Sequence, residues 1–118
     1  MNAVIYHNAR CSKSRETLAL LEQQGVETEV VYYLETPPDV VTLERLLSQL
    51  GFTDPRQLMR QKEDEYAALD LANPARSRSE LLAAMVAHPR LIERPIVVVG
   101  ERAVLGRPPE AVLVLLSR

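Results

Sequence analysis

A mixed α/β fold is predicted by three features of this chain. Two short apolar or β-branched runs flank a helical pattern near the N-terminus. Two more apolar runs meet at Gly100-Glu101 near the C-terminus, and a long stretch of helical periodicity lies between the pairs. At 118 residues the chain suits a single domain, 1–118, with a core that needs no disulfide or metal staple. Its 47% hydrophobic and 25% charged content is that of an ordinary globular protein.

The elements follow from local rules. Residues 3–6 form a short strand, and residues 14–24 a helix stopped by Gly25. Residues 29–33 are β-branched and aromatic, a second strand. Pro37-Pro38 forces a loop, since paired prolines fit neither a helix interior nor a central strand. Leu43, Leu46, Leu47 and Leu50 recur at helical spacing, with Gly51 as the stop. Residues 54–71 read as short helices, and Asn73-Pro74 breaks the chain. Ser77-x-x-Glu80 is a capping box opening a helix over Leu81, Leu82, Met85 and Val86, ended by Pro89. Residues 96–99 and 102–105 flank Gly100-Glu101 as a hairpin. Pro108-Pro109-Glu110 then opens a last helix with Val112, Leu115 and Leu116 inward. The order βαβ, several helices, ββα describes a thioredoxin-like mixed sheet with a helical insert, about 39–90, between its two halves.

Composition narrows the function. A net charge of −2 argues against nucleic acid as the main partner. The longest apolar runs, such as Ile96-Val97-Val98-Val99, are far too short to span a membrane. No basic n-region precedes a long apolar core at the N-terminus, and Cys11 is the sole cysteine; both point to a reducing cytoplasm. Metal binding is unsupported, since His7 and His88 lie far apart and no ligand-spaced cluster joins them. A monomer is the default. Of the 14 cationic side chains only Lys13 and Lys62 are lysines. Base composition alone would explain that bias, and so would planar, bidentate oxyanion recognition.

A lone thiol can form no internal disulfide, so any chemistry it does must be resolved by another molecule. Cys11 falls in the strand-to-helix turn, where unpaired N–H groups and the positive end of the helix dipole favour a thiolate. His7, Arg10, Lys13 and Arg15 lie within four residues, and Ser14 returns one turn later as a hydrogen-bond donor or helix cap. His7 is either a satisfied strand-end histidine or a tuner of the thiol, and Asn8 shapes the loop. Such a loop also suits a tetrahedral oxyanion. Arg60, Arg94 and Arg107 are the candidate arginines for its charge by sequence context.

The motifs Tyr6-His7-Asn8-x-x-Cys11-x-x-Ser14-Arg15, Tyr33-Leu34-Glu35-Thr36-Pro37-Pro38, Leu58-x-Arg60, His88-Pro89, Arg94-Pro95-Ile96-Val97 and Arg107-Pro108 follow one another across nearly the whole chain. In this set the chain resembles the glutaredoxin-coupled arsenate reductase family, the ArsC type. The cationic Ala9-Arg10-Cys11-Ser12-Lys13 loop and the short C-terminal end resemble its short chromosomal branch. The resemblance implies a thioredoxin-like fold and reduction of arsenate to arsenite. Cys11 attacks arsenate, glutathione follows as co-substrate, glutaredoxin removes the glutathione, and no bound cofactor is required. It implies that Arg60, Arg94 and Arg107 hold the oxyanion, and that His7, Ser14 and Arg15 tune the thiol. It also implies that Arg94-Pro95 matches the cis-proline facing the thiol. Two readings stay open beside it: a monothiol, glutathione-linked oxidoreductase of another substrate, and an Spx-like regulator that binds RNA polymerase. The regulator is expected to carry Cys-x-x-Cys, where this chain has Ser14.

Overall fold

The computed structural model describes residues 1–116. The chain forms two compact units: Met1–Thr36 with the chain from Arg94 onward, and Pro37–Glu93.

The first unit carries the sheet. Strands β1 (Asn2–Tyr6), β2 (Glu27–Val31), β3 (Ile96–Val99) and β4 (Arg102–Leu105) lie in the order β2-β1-β3-β4. β1 pairs parallel with β2, from Asn2 opposite Glu27 to Tyr6 opposite Val31. It pairs antiparallel with β3, Val4 facing Val98, and β3 pairs antiparallel with β4. Helix α1 (Ser12–Gln23) links β1 to β2 and buries Ser14, Thr17 and Leu21. Its Leu21 joins Ala3, Ile5, Val26, Val97, Val112 and Leu115 in the core, the alternation of β1 supplying Ala3 and Ile5 from one face.

Three expectations shift. Helix α1 begins at Ser12, two residues before the predicted 14–24. The second strand starts at Glu27, two residues before the predicted 29–33, and ends at Val31. The parallel register against β1 sets those limits. Beyond them the Tyr32 carbonyl accepts the N–H groups of Glu35 and Thr36, which turns the chain. The last element, Pro109–Leu115, is a 3-10 helix rather than an α-helix. Its inward residues Pro109, Val112 and Leu115 recur every third position, the period of the tighter helix. The hydrogen bond from Ala111 N–H to the Pro108 carbonyl spans three residues in the same way.

The second unit is helical: α2 (Val40–Leu50), a 3-10 turn (Pro55–Leu58), α3 (Asp64–Ala68), α4 (Arg78–Ala87) and a 3-10 turn (Pro89–Leu91). Asp39 caps α2 by accepting the Thr42 N–H at 2.8 Å, and Gly51 ends it at φ 78°. The Ser77/Glu80 capping box forms as predicted. Met59 and Ile92 make an isolated antiparallel bridge, flanked by bonds from Arg60 N–H to the Leu91 carbonyl (2.7 Å) and from Glu93 N–H to the Leu58 carbonyl (2.8 Å). No helix among the described residues is long and apolar enough to cross a membrane.

Candidate active site

The loop after β1 is held by its own polar groups. His7 N–H extends the strand pairing onto the Val31 carbonyl at 2.8 Å. The Asn8 side-chain oxygen accepts the Arg10 N–H at 3.0 Å, and the Asn8 carbonyl accepts the Cys11 N–H at 3.0 Å. These two bonds close a turn that delivers Cys11 to the N-cap of α1, where its carbonyl accepts the first helical N–H, from Arg15. The thiol there is partly exposed and faces the N–H groups of the first turn.

The surroundings favour its ionised form. Burial pushes the Cys11 thiol up, and four groups outweigh that effect: the Ser14 N–H, the Arg94 guanidinium, the Lys13 N–H and the Arg107 guanidinium. The net direction is below the ordinary thiol value. Arg107 Nη1 lies 3.9 Å from Sγ and donates to the Arg94 carbonyl at 3.2 Å. Arg94 Nε is buried and has no hydrogen-bond partner among the described residues, so this guanidinium keeps a donor unspent among them.

The structure divides the other candidates by task. Ser14 Oγ lies 2.6 Å from His7 Nδ1 and accepts the Asn8 N–H at 3.1 Å. The part of Ser14 that bears on the thiol is therefore its backbone N–H, while its hydroxyl locks the loop. His7 is 4% exposed and meets the Tyr32 ring edge-on at 5.8 Å. Burial first, and the Arg15 charge second, hold its imidazole below the usual histidine range. It acts on the loop through its hydrogen bond with Ser14. Arg15 donates to the Ala9 carbonyl at 2.9 Å, clasping the turn from the helix side. Arg60, in the helical unit, forms an ion pair with Glu63.

Two residues escaped the sequence reading. Thr17, fully buried, donates its hydroxyl to the Lys13 carbonyl at 2.7 Å and lies 3.3 Å from the Gly106 carbonyl. Gly106 N–H in turn donates to the Pro95 carbonyl at 2.9 Å. This chain of contacts ties the thiol's helix to the two segments that carry Arg94 and Arg107. Both arginines precede a cis-proline, Pro95 and Pro108. A buried threonine three residues after Ser14 was readable as part of the inward stripe, but its carbonyl partner was not. Among the described residues no group of three or more His, Cys, Asp or Glu side chains could hold a metal ion.

Comparison with known proteins places this geometry. The model of the ArsC family matches residues 6–115. The chain belongs to the ArsC family. The uncharacterized protein YfgD of Escherichia coli K12 is 61% identical over 92% of each chain. An arsenate reductase of Haemophilus influenzae is 48% identical over 98% of this chain and 100% of its own length. Among solved structures, an arsenate reductase from Vibrio cholerae is 57% identical, with 96% of each chain covered and a TM-score of 0.94. The ArsC match spans Cys11 and every candidate site residue, and such neighbours share the thioredoxin-like architecture that the element order predicted.

Proposed function

We propose that this ArsC-family chain is an arsenate reductase in which Cys11 is the nucleophile and glutathione and glutaredoxin supply the reducing thiols. Arg94 and Arg107 bind the oxyanion, with Arg60 as the third arginine, and the reaction takes place in the cytoplasm without a bound cofactor. One observation carries the reading: a partly exposed thiol at the N-cap of α1 has Arg107 Nη1 3.9 Å from its sulfur, and Arg94, whose carbonyl accepts from that same Arg107, holds the thiol pKa down with it. The relatives named arsenate reductase lend it support.

In the proposed sequence the Cys11 thiolate attacks arsenic, a sulfur–arsenic bond forms, and one oxygen leaves as water after protonation. The arginines bind the dianion and offset charge that builds on its oxygens during attack. A glutathione thiol displaces a second oxygen in the same way. The glutaredoxin thiolate then takes the glutathionyl sulfur as a mixed disulfide, and the electron pair of that sulfur–arsenic bond stays on arsenic. Arsenic falls from +5 to +3. Water cleaves the remaining bond, releasing arsenite and the Cys11 thiol. A chain with one thiol fits this division of labour, because both reducing equivalents come from outside. His7, Asn8, Ser14 and Arg15 keep the loop in the shape that presents the thiol.

Steady-state turnover with arsenate, glutathione and glutaredoxin tests the proposal, comparing intact protein with Cys11→Ser and Arg60→Ala. Arsenate-dependent turnover that vanishes in Cys11→Ser is expected. Absent arsenate turnover, together with brisk reduction of a glutathionylated peptide, would instead assign the thiol to a glutathione-linked reductase of another substrate.

A further inference from the structure

Arg60 meets any incoming anion with its guanidinium already engaged. Its Nη1 is ion-paired with Glu63 Oε1, and the other oxygen of that carboxylate accepts from Arg90 Nη2 at 3.3 Å. The Glu63 side chain is only 13% exposed, while that of Arg90 is 67% exposed. The arrangement is built into the backbone. Arg60 N–H bonds to the Leu91 carbonyl, next to Arg90, and Glu63 N–H bonds to the Arg60 carbonyl. Glu63 occupies the N-cap of α3 yet makes no capping bond, so its carboxylate serves the two arginines and not the helix.

We propose that Glu63 and Arg90 set the affinity of Arg60 for its oxyanion: Glu63 holds Arg60 until a doubly charged tetrahedral anion displaces it, and Arg90 keeps the released carboxylate paired. The inference rests on the reading that Arg60 binds arsenate. The physical need for Arg90 comes from the burial of Glu63. A mostly buried carboxylate stripped of its partner is costly, and a second guanidinium on its far oxygen offsets part of that cost. The exchange also discriminates by charge. A dianion gains about twice the Coulomb attraction that a monoanion does at the same distance, so it competes better against a carboxylate already in place. The three side chains sum to a single positive charge, and removing the carboxylate leaves two.

Calorimetric titration of the full-length Cys11→Ser protein with arsenate, which binds there without turning over, tests this. Arg60→Ala should weaken binding roughly tenfold or more, the loss of a charge-assisted anion contact. Glu63→Gln, which keeps shape and removes charge, should tighten binding at least about two- to fivefold, since this pair is more buried than the surface ion pairs that set that scale. Arg90→Ala should weaken binding about twofold on the same scale, and should change nothing in the Glu63→Gln background. A merely structural Glu63 would not produce that sign or that cancellation. Glu63→Ala shares the predicted sign, so the result does not hang on one variant. If Arg60→Ala is defective while Glu63→Gln binds equally or more weakly, the exchange is overturned and Arg60 keeps its role. If Arg60→Ala binds arsenate normally, the assignment of Arg60 itself fails, and the exchange fails with it.

Discussion

Replacing Gly106 by alanine would put a methyl carbon 2.6 Å from Thr17 Oγ1, 2.8 Å from Pro95 Cγ and 2.9 Å from Thr17 Cγ2. Ordinary contact begins at 3.4 Å, so all three must give way. None can do so cheaply. Thr17 is fully buried, and rotating it away breaks its 2.7 Å bond to the Lys13 carbonyl. Pro95 is a buried ring with no rotamer to change. Overpacking of this kind costs about 1–3 kcal/mol, and two rigid neighbours put Gly106→Ala toward the upper end. Urea denaturation should show a lower midpoint at an unchanged slope. Thr17→Ala removes both clashing atoms of that residue, so the double variant should be about 1 kcal/mol more stable than the sum of the singles. A Gly106→Ala protein within about 0.5 kcal/mol of the parent, the range of neutral surface changes, would refute the packing argument.

Two further predictions concern titration. The alkylation rate of Cys11 should titrate below the ordinary thiol value of about 8.5, and Arg94→Ala or Arg107→Ala should each move the midpoint upward. A midpoint at the free-cysteine value in the intact protein would remove the activated thiolate. His7 has a folded pKa held below 6.5, so the unfolded chain binds more protons than the folded one between those two values. Its contribution to stability is therefore complete above about pH 6.5 and lost as pH falls toward the folded value. Chemical denaturation at a series of pH values should show that decline flattened in His7→Asn; an identical decline in both proteins would assign it elsewhere.

Local chemistry explains which parts of this molecule are visible in its sequence. Helices α2 and α4 are bounded by residues that act within one turn, Asp39 and Gly51 on one and the Ser77/Glu80 box on the other, so their limits are readable. The limits of β2 are set by the partner strand, and Tyr32 and Tyr33 read as strand residues from propensity alone. Inward residues at 112 and 115 suit either helix type, and the buried Pro109 that completes the period of three was not counted among them. The position of Cys11 at a strand-to-helix turn follows from adjacent residues. The convergence of Arg94 and Arg107 depends on the β3–β4 pairing, with Ile96 opposite Leu105, and reached the sequence reading only through the family's motifs. Glu63 stood three residues after Arg60, an ordinary helix-surface spacing that gave no sign of Arg90 on its other side.

The pairing of β1 with β3 has a consequence for the order in which the molecule can be made. Val4 bonds across to a strand that holds Val98, so one edge of β1 stays unpaired while the whole helical segment is synthesised. Contacts this distant in sequence slow folding, because the intervening loop must close before they repay its entropy. On the ribosome the helices of Pro37–Glu93 have emerged before the sheet has all its strands. The turn that carries Cys11 is synthesised among the first residues, yet Arg94 and Arg107 reach it only near the end. The nascent chain therefore carries its thiol long before it carries the two guanidinium groups that favour its ionised form.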